Sequence, residues 1–106
     1  MLRVELNHDG TGSLAVRLQG RLVGMYAEEV RATMARYTTV SFILVDVSDV
    51  TFVDALGEKV LSWLGCIGAR FVAANLYTRG ICERLQLQVS EQHPESGSGT
   101  DTQVLA

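Results

Sequence analysis

Unbroken apolar sequence is scarce in this chain. Phe42 to Val45, as long as any run it has, falls far short of the roughly 18 residues that a membrane-spanning helix requires, and Met1-Leu2-Arg3-Val4-Glu5 lacks the charged start and apolar stretch of a secretory signal. The sequence therefore reads as a cytoplasmic protein with no direct membrane insertion. Cysteine is scarce as well. Cys66 and Cys82 are too few for a disulfide scaffold, stand in no CxxC or other short metal-ligand spacing, and read as small buried thiols. An excess of positive charge is also missing: the formal net charge is −3 and the basic residues are scattered, so there is no electrostatic footprint for a polyanion and nucleic acid is not an expected partner. Arg70, Arg79 and Arg84 fall at element ends, where a solvated surface is the ordinary reading, and are given no role.

The ingredients of an active site are absent too. There is no Gly-x-Ser-x-Gly elbow, and the two histidines, His8 in a turn and His93 near the end, adjoin no plausible nucleophile. Asp46, Asp49 and Asp54 cluster where a strand ends, a place where parallel α/β folds put metal or phosphotransfer sites. Each has a simpler role, however, with Asp46 ending the strand, Asp49 in a turn and Asp54 capping the next helix. Gly10-Thr11-Gly12-Ser13 resembles a phosphate-cradling loop in composition only, because a strand follows it and not a helix. The expectation is a protein that is not an enzyme and holds no cofactor or metal.

What is present is the pattern of one compact domain. A chain of 106 residues with 47% hydrophobic and 20% charged residues can bury a modest core and is too apolar for disorder over most of its length. Leu2, Val4 and Leu6 alternate with polar residues, His8 to Gly12 supplies turn chemistry, and Leu14, Val16 and Leu18 alternate again, which predicts an N-terminal β-hairpin with one buried face. Ala27, Val30, Met34 and Tyr37 recur at helical spacing between Met25 and Tyr37, with Glu28, Glu29, Arg31 and Arg36 opposite. Val40 to Val47 reads as a central strand that leads into a polar loop. Asp54 then caps a helix whose buried stripe is predicted as Leu56, Val60, Trp63, Leu64 and Ile67, with Cys66 on or beside it. Arg70 to Asn75 is a further strand, Thr78 a cap for a short helix with Ile81, Cys82 and Leu85 inward, and Leu85, Leu87 and Val89 a short edge strand. From about Ser90 the composition turns to Ser, Gly, Glu and Pro94. The division expected is a domain over residues 1–89 and a flexible tail over 90–106, whose end, Val104-Leu105-Ala106, is read as free in preference to docking on a sheet edge.

The order of these features between Leu14 and Leu87 resembles the STAS domain, the fold of bacterial anti-sigma factor antagonists. Leu18-x-Gly20-x-Leu22 is similar to that family's strand exit, and Gly68-Ala69-Arg70-Phe71-Val72 to its next strand. Asp46-Val47-Ser48-Asp49-Val50-Thr51-Phe52-Val53-Asp54-Ala55-Leu56-Gly57 is similar to its core pattern, roughly Asp-Leu-Ser-x-Val-x-Phe-Ile-Asp-Ser-Ser-Gly. The resemblance implies an α/β fold, a mixed β-sheet of about four to five strands with covering helices. It departs at Val23, where many antagonists carry Asp, at Ala55 and Leu56, which replace the hydroxyls, and after Val89, where the usual last helix has no counterpart.

In that family a Ser or Thr after the aspartate is phosphorylated by a partner kinase, and Ala55 and Leu56 cannot accept a phosphoryl group. Ser48 and Thr51 carry hydroxyls in the same segment but match positions that satisfy the backbone of a turn. The resemblance thus implies a non-catalytic interaction module, unswitched at the usual site, that presents Ser48, Asp49, Thr51, Asp54, Ala55, Leu56 and Glu58 to an anti-sigma factor or a kinase of the GHKL type. An accessory subunit that binds the ATPase of an ABC-type lipid transporter is the alternative from the same resemblance. A small-ligand or nucleotide sensor rests only on the general habit of α/β folds to bind ligands at strand ends.

Overall fold

The computed structural model describes residues 1–8, 12–37, 40–90 and 100–105. Strands β1 (Leu2–His8) and β2 (Ser13–Leu22) pair antiparallel from Leu2 opposite Gly20 to His8 opposite Leu14, as the alternation predicts. Leu2, Val4, Leu6, Leu14, Val16 and Leu18 are all buried on one face of this hairpin. Gly20 has a φ of +111°, and a Cβ there would come within 2.6 Å of the Met1 carbonyl oxygen, so only glycine fits beside the start of β1.

Helix α1 (Gly24–Ala35) buries Ala27, Val30, Thr33 and Met34 and returns the chain to β3 (Phe42–Val53), which runs parallel to β2. β3 is longer than expected, and the predicted polar loop is its C-terminal half. Two irregularities explain the difference. One falls between the Arg17–Asp46 and Gln19–Asp49 pairs and one between Gly20–Val50 and Arg21–Phe52, each leaving β3 one residue longer than its partner. Val47, Val50 and Val53 are therefore the buried positions, at a spacing of three and not two.

Helix α2 (Ala55–Cys66) leads to β4 (Arg70–Val72), parallel to β3 and shorter than the six residues expected. Helix α3 (Leu76–Arg84) follows. The predicted edge strand after it is reduced to one bridge, Val89 beside Phe71. The turn beyond α3 is closed by amides of Gln86 and Leu87 on the carbonyls of Glu83 and Cys82, with Gln86 in the left-handed region at φ 58°.

The sheet order is β4-β3-β2-β1-β5, a mixed five-stranded sheet in which β5 (Thr100–Leu105) lies antiparallel to β1, from Leu2 opposite Leu105 to Asn7 opposite Thr100. This corrects, over residues 100–105, the expectation of a flexible tail at 90–106 whose end, Val104-Leu105-Ala106, is free. Without β5 the outer side of β1 would present a row of unpaired backbone donors and acceptors, and added main-chain pairing outweighs the polar composition that suggested a tail. Residues 91–99, including His93, lie outside the described residues, as do 9–11, 38–39 and 106.

One continuous core joins the inner face of the sheet to the three helices: Phe71, fully buried, with Val45 and Val16 from the sheet, Val30 and Met34 from α1, Leu61 and Leu64 from α2, and Ile81 and Cys82 from α3. The stripe of α2 differs from the predicted one. Gly57, Val60, Leu61 and Leu64 face inward, and Leu56 stands about a quarter turn from their centre and is exposed. Cys66, expected to be buried, is exposed, and only Cys82 is the buried thiol.

Candidate functional site

The site is built around Asp54. Its carboxylate accepts the Gly57 amide at 2.8 Å, which caps α2 as the sequence predicts, and with its other oxygen accepts the Gly24 amide at 2.9 Å. Val23 precedes α1 and offers no side-chain cap, so Asp54, the residue between β3 and α2, supplies it. These bonds, the Gly57 amide foremost, hold the Asp54 carboxyl below the usual carboxylate range. Gly57 is required for the approach. A Cβ there would collide with the Leu22 carbonyl oxygen and lie 2.7 Å from Val53 Cγ1.

The entrance of α3 is tied to the same half of β3. The Ala74 amide donates to Ser48 Oγ at 3.0 Å, Asn75 Nδ2 donates to the Ser48 carbonyl at 2.6 Å, and the Val53 amide donates to the Tyr77 hydroxyl at 2.8 Å. Asn75, not Thr78 as expected, is the N-cap of α3, accepting the Thr78 amide, while Thr78 is buried and donates its hydroxyl to Asn75 Oδ1. Ser48–Val53 thus pairs with β2 on one side and with residues 74–77 on the other, which is why a polar segment is held as strand.

Each predicted site residue can now be placed. Ser48 is half-buried, and its hydroxyl is engaged as described. Thr51 is exposed and donates its hydroxyl to the Gly20 carbonyl at 3.2 Å. Asp49 is exposed and accepts from Gln19 Nε2 at 3.4 Å. Ala55 and Leu56 form the exposed first turn of α2, with Leu56 half accessible at 50%. Glu58 receives a two-pronged bond from Arg84 at 2.8 Å on each oxygen, and this bond lowers its pKa and raises that of Arg84. The three arginines given no role are all engaged: Arg84 joins α3 to α2, Arg79 donates to the Ala73 carbonyl, and Arg70 lies 5.9 Å over the Phe42 ring.

The three aspartates do not converge. Asp46 is buried, accepts the Ser48 amide at 2.9 Å and lies 3.7 Å from the Arg17 guanidinium, while Asp49 and Asp54 have the separate partners given above. No group of three His, Cys, Asp or Glu side chains able to hold a metal ion occurs among the described residues.

Sequence reasoning missed the apolar residues that surround this junction. Met25 on the first turn of α1 is 73% exposed, Phe52 at the end of β3 is 46% exposed beneath the Arg21 guanidinium, and Leu76 and Tyr77 are exposed on the first turn of α3. Met25 is the second residue of α1 and Leu76 the first of α3, and no periodicity in so short a stretch separates an inward residue from an outward one.

Among the described residues, a mixed five-stranded sheet covered by three helices on one face, with helix starts tied to the C-terminal half of its parallel central strand, makes an α/β domain with a STAS-like fold. Among solved structures the chain is similar to the anti-sigma factor antagonist SpoIIAA in its unphosphorylated form, with a TM-score of 0.67 at 15% identity, over 85% of this chain and 89% of that one. That likeness carries the fold. A match to the crystal structure of Mglu has a TM-score of 0.48 at 18% identity over 85% of this chain and 19% of that one, and adds nothing to it. No family model and no curated protein sequence matches the chain. No helix among the described residues is long and apolar enough to cross a membrane.

Proposed function

We propose that the chain is a non-catalytic protein-interaction module resembling an anti-sigma factor antagonist, acting in the cytoplasm and binding its partner without a phosphorylation switch at the usual position. The observation that carries this reading is the first turn of α2, where Ala55 and Leu56 stand exposed in place of hydroxyls. An exposed leucine, with Met25 and Phe52 exposed on neighbouring element ends, is the kind of apolar anchor that interfaces bury. The hydroxyls that remain support the unswitched reading, since Ser48 and Thr51 are both occupied in holding backbone. The contact surface proposed is Ser48, Asp49, Thr51, Asp54, Ala55, Leu56 and Glu58.

The partner proposed is an anti-sigma factor or GHKL-type kinase; the ATPase of an ABC-type transporter is the second reading, favoured by the loss of a phosphoacceptor, which suits a permanent subunit. Co-purification of the tagged chain from its own cells, with the Ala55→Asp variant as control, separates them. An acidic residue at a helix start is compatible with the fold, so the variant is expected to keep its stability and lose the partner. A kinase-like protein lost from the variant supports the antagonist; an ATPase component lost from it supports the transporter subunit. Retention of every partner by a folded Ala55→Asp variant refutes this surface. Thermal unfolding with millimolar nucleotide tests the sensor reading, because a ligand at a hundred times its Kd adds about 2.7 kcal/mol.

A further inference from the structure

Between α1 and α2 runs an open groove of about 530 Å³. Its apolar surface comes from Met25, Leu56 and Val60, and Glu28, Arg31 and Lys59 stand along its edges. The size lies within the range of sites that take up large side chains or small ligands. Met25 is mostly uncovered and Leu56 half uncovered, and methionine adapts its shape to what it meets.

The charges along the groove are unequal. Glu28 and Arg31 neutralise each other through bonds from both Nε and a terminal nitrogen of the arginine. Lys59 has no ionic partner among the described residues and is exposed. The groove therefore combines an apolar floor with one unbalanced positive charge. Its walls are also fixed, because Asp54 holds the first turns of α1 and α2 together through Gly24 and Gly57, so little ordering remains to oppose binding.

We infer that this groove takes an acidic amphipathic helix from a protein partner, with apolar side chains seated between Met25, Leu56 and Val60 and a carboxylate meeting Lys59. A helix fits a trough between two helices because its residues at i, i+3, i+4 and i+7 form one apolar ridge. The flanking positions of such a helix carry the charge that Lys59 selects. The inference rests on the reading of the chain as an interaction module and adds the chemistry of the partner.

The test uses a designed peptide of about 16 residues, long enough to hold a helix, with leucine at i, i+3, i+4 and i+7 and glutamate on the flanks. A twin carries lysine at every glutamate position, and a scrambled peptide serves as control. Each is titrated into the full, isotopically labelled chain and followed by amide chemical shifts. The acidic peptide is expected to move the amides of Gly24, Leu56, Lys59 and Val60 and to bind more tightly than its twin. Leu56→Ala, at an exposed site, should weaken it about tenfold. Lys59→Glu should reverse the preference between the twins, by up to about fivefold each way. No movement of these amides at millimolar peptide, equal binding of both twins, a preference unchanged by Lys59→Glu, or self-association that moves the same amides without peptide each overturns the inference. A partner that still depends on Ala55 in co-purification would leave the interaction-module reading standing while the groove assignment fell.

Discussion

Asp54 binds Gly24 across thirty residues of sequence, and through that bond the start of α1 is capped by the residue that caps α2. Two helices of the same domain thus share one carboxylate. A carboxyl whose folded pKa lies below its unfolded value of about 3.9 contributes stability that is fully present above that value and lost as pH falls through the folded pKa. Asp54→Asn, which cannot ionise and keeps one oxygen, should flatten the acid limb of stability. Asp54→Ala should lower the melting temperature further, with both amides left without this acceptor. Acid-unfolding curves of wild type and Asp54→Asn that superimpose would contradict this role.

The approach of α2 to the strand ends depends on Gly57, whose Cβ position is occupied by the Leu22 carbonyl and crowded by Val53. Gly57→Ala should destabilise by about 1–3 kcal/mol, since the added methyl meets backbone that cannot step aside. Gly80 in α3 is the control: nothing lies within 4 Å of a Cβ there, and the helix gains from alanine. Gly80→Ala should stabilise by about 0.5–1 kcal/mol. Denaturant melts of the two variants give opposite signs if the packing is as described.

These contacts mark the limits of what the sequence makes legible. The hairpin from Leu2 to Leu18, the helix around Val30 and the cap at Asp54 follow from local periodicity and chemistry, and the structure agrees. The C-terminal half of β3 does not, because two bulges change its buried spacing from two to three at Val47, Val50 and Val53. The partners of Asp54 on Gly24, Ser48 on residues 74 and 75, and Arg84 on Glu58 join positions 26 or more residues apart, and nothing local announces them. Leu56 illustrates the same gap at the site. Its spacing from Val60 suited a buried stripe, yet the close packing at Gly57 turns the helix so that Leu56 faces outward. The strand at residues 100–105 was hidden because edge pairing uses backbone groups, which composition does not report.

The Glu58–Arg84 bond joins the first turn of α2 to the last turn of α3. Removing the guanidinium by Arg84→Ala should raise the Glu58 pKa toward the ordinary carboxylate range, as read by carboxyl-carbon chemical shifts across an acid titration. Both groups are solvated enough that stability at neutral pH should change little. A Glu58 titration unmoved by the substitution would show that the pair does not persist in solution.

The two thiols differ in environment, and their reactivity should differ with it. Cys82 is fully buried near Leu61, Val47 and Val53, and burial, with Glu83 nearby, pushes its pKa up to about 11. At pH 8 only about one Cys82 in a thousand is then thiolate, the form that attacks alkylating agents. Cys66 is exposed at the end of α2 and meets reagent directly. Iodoacetamide applied to the native chain should therefore modify Cys66 alone, and Cys82 should react only after denaturant opens the core. Peptide mass mapping reads the two sites separately. The rate at Cys82 should rise in a Gly57→Ala variant, because loosening the seat of α2 increases the fraction of time the core is open. Equal labelling of both cysteines in the native wild type would mean that α3 does not stay docked over β3 and α2.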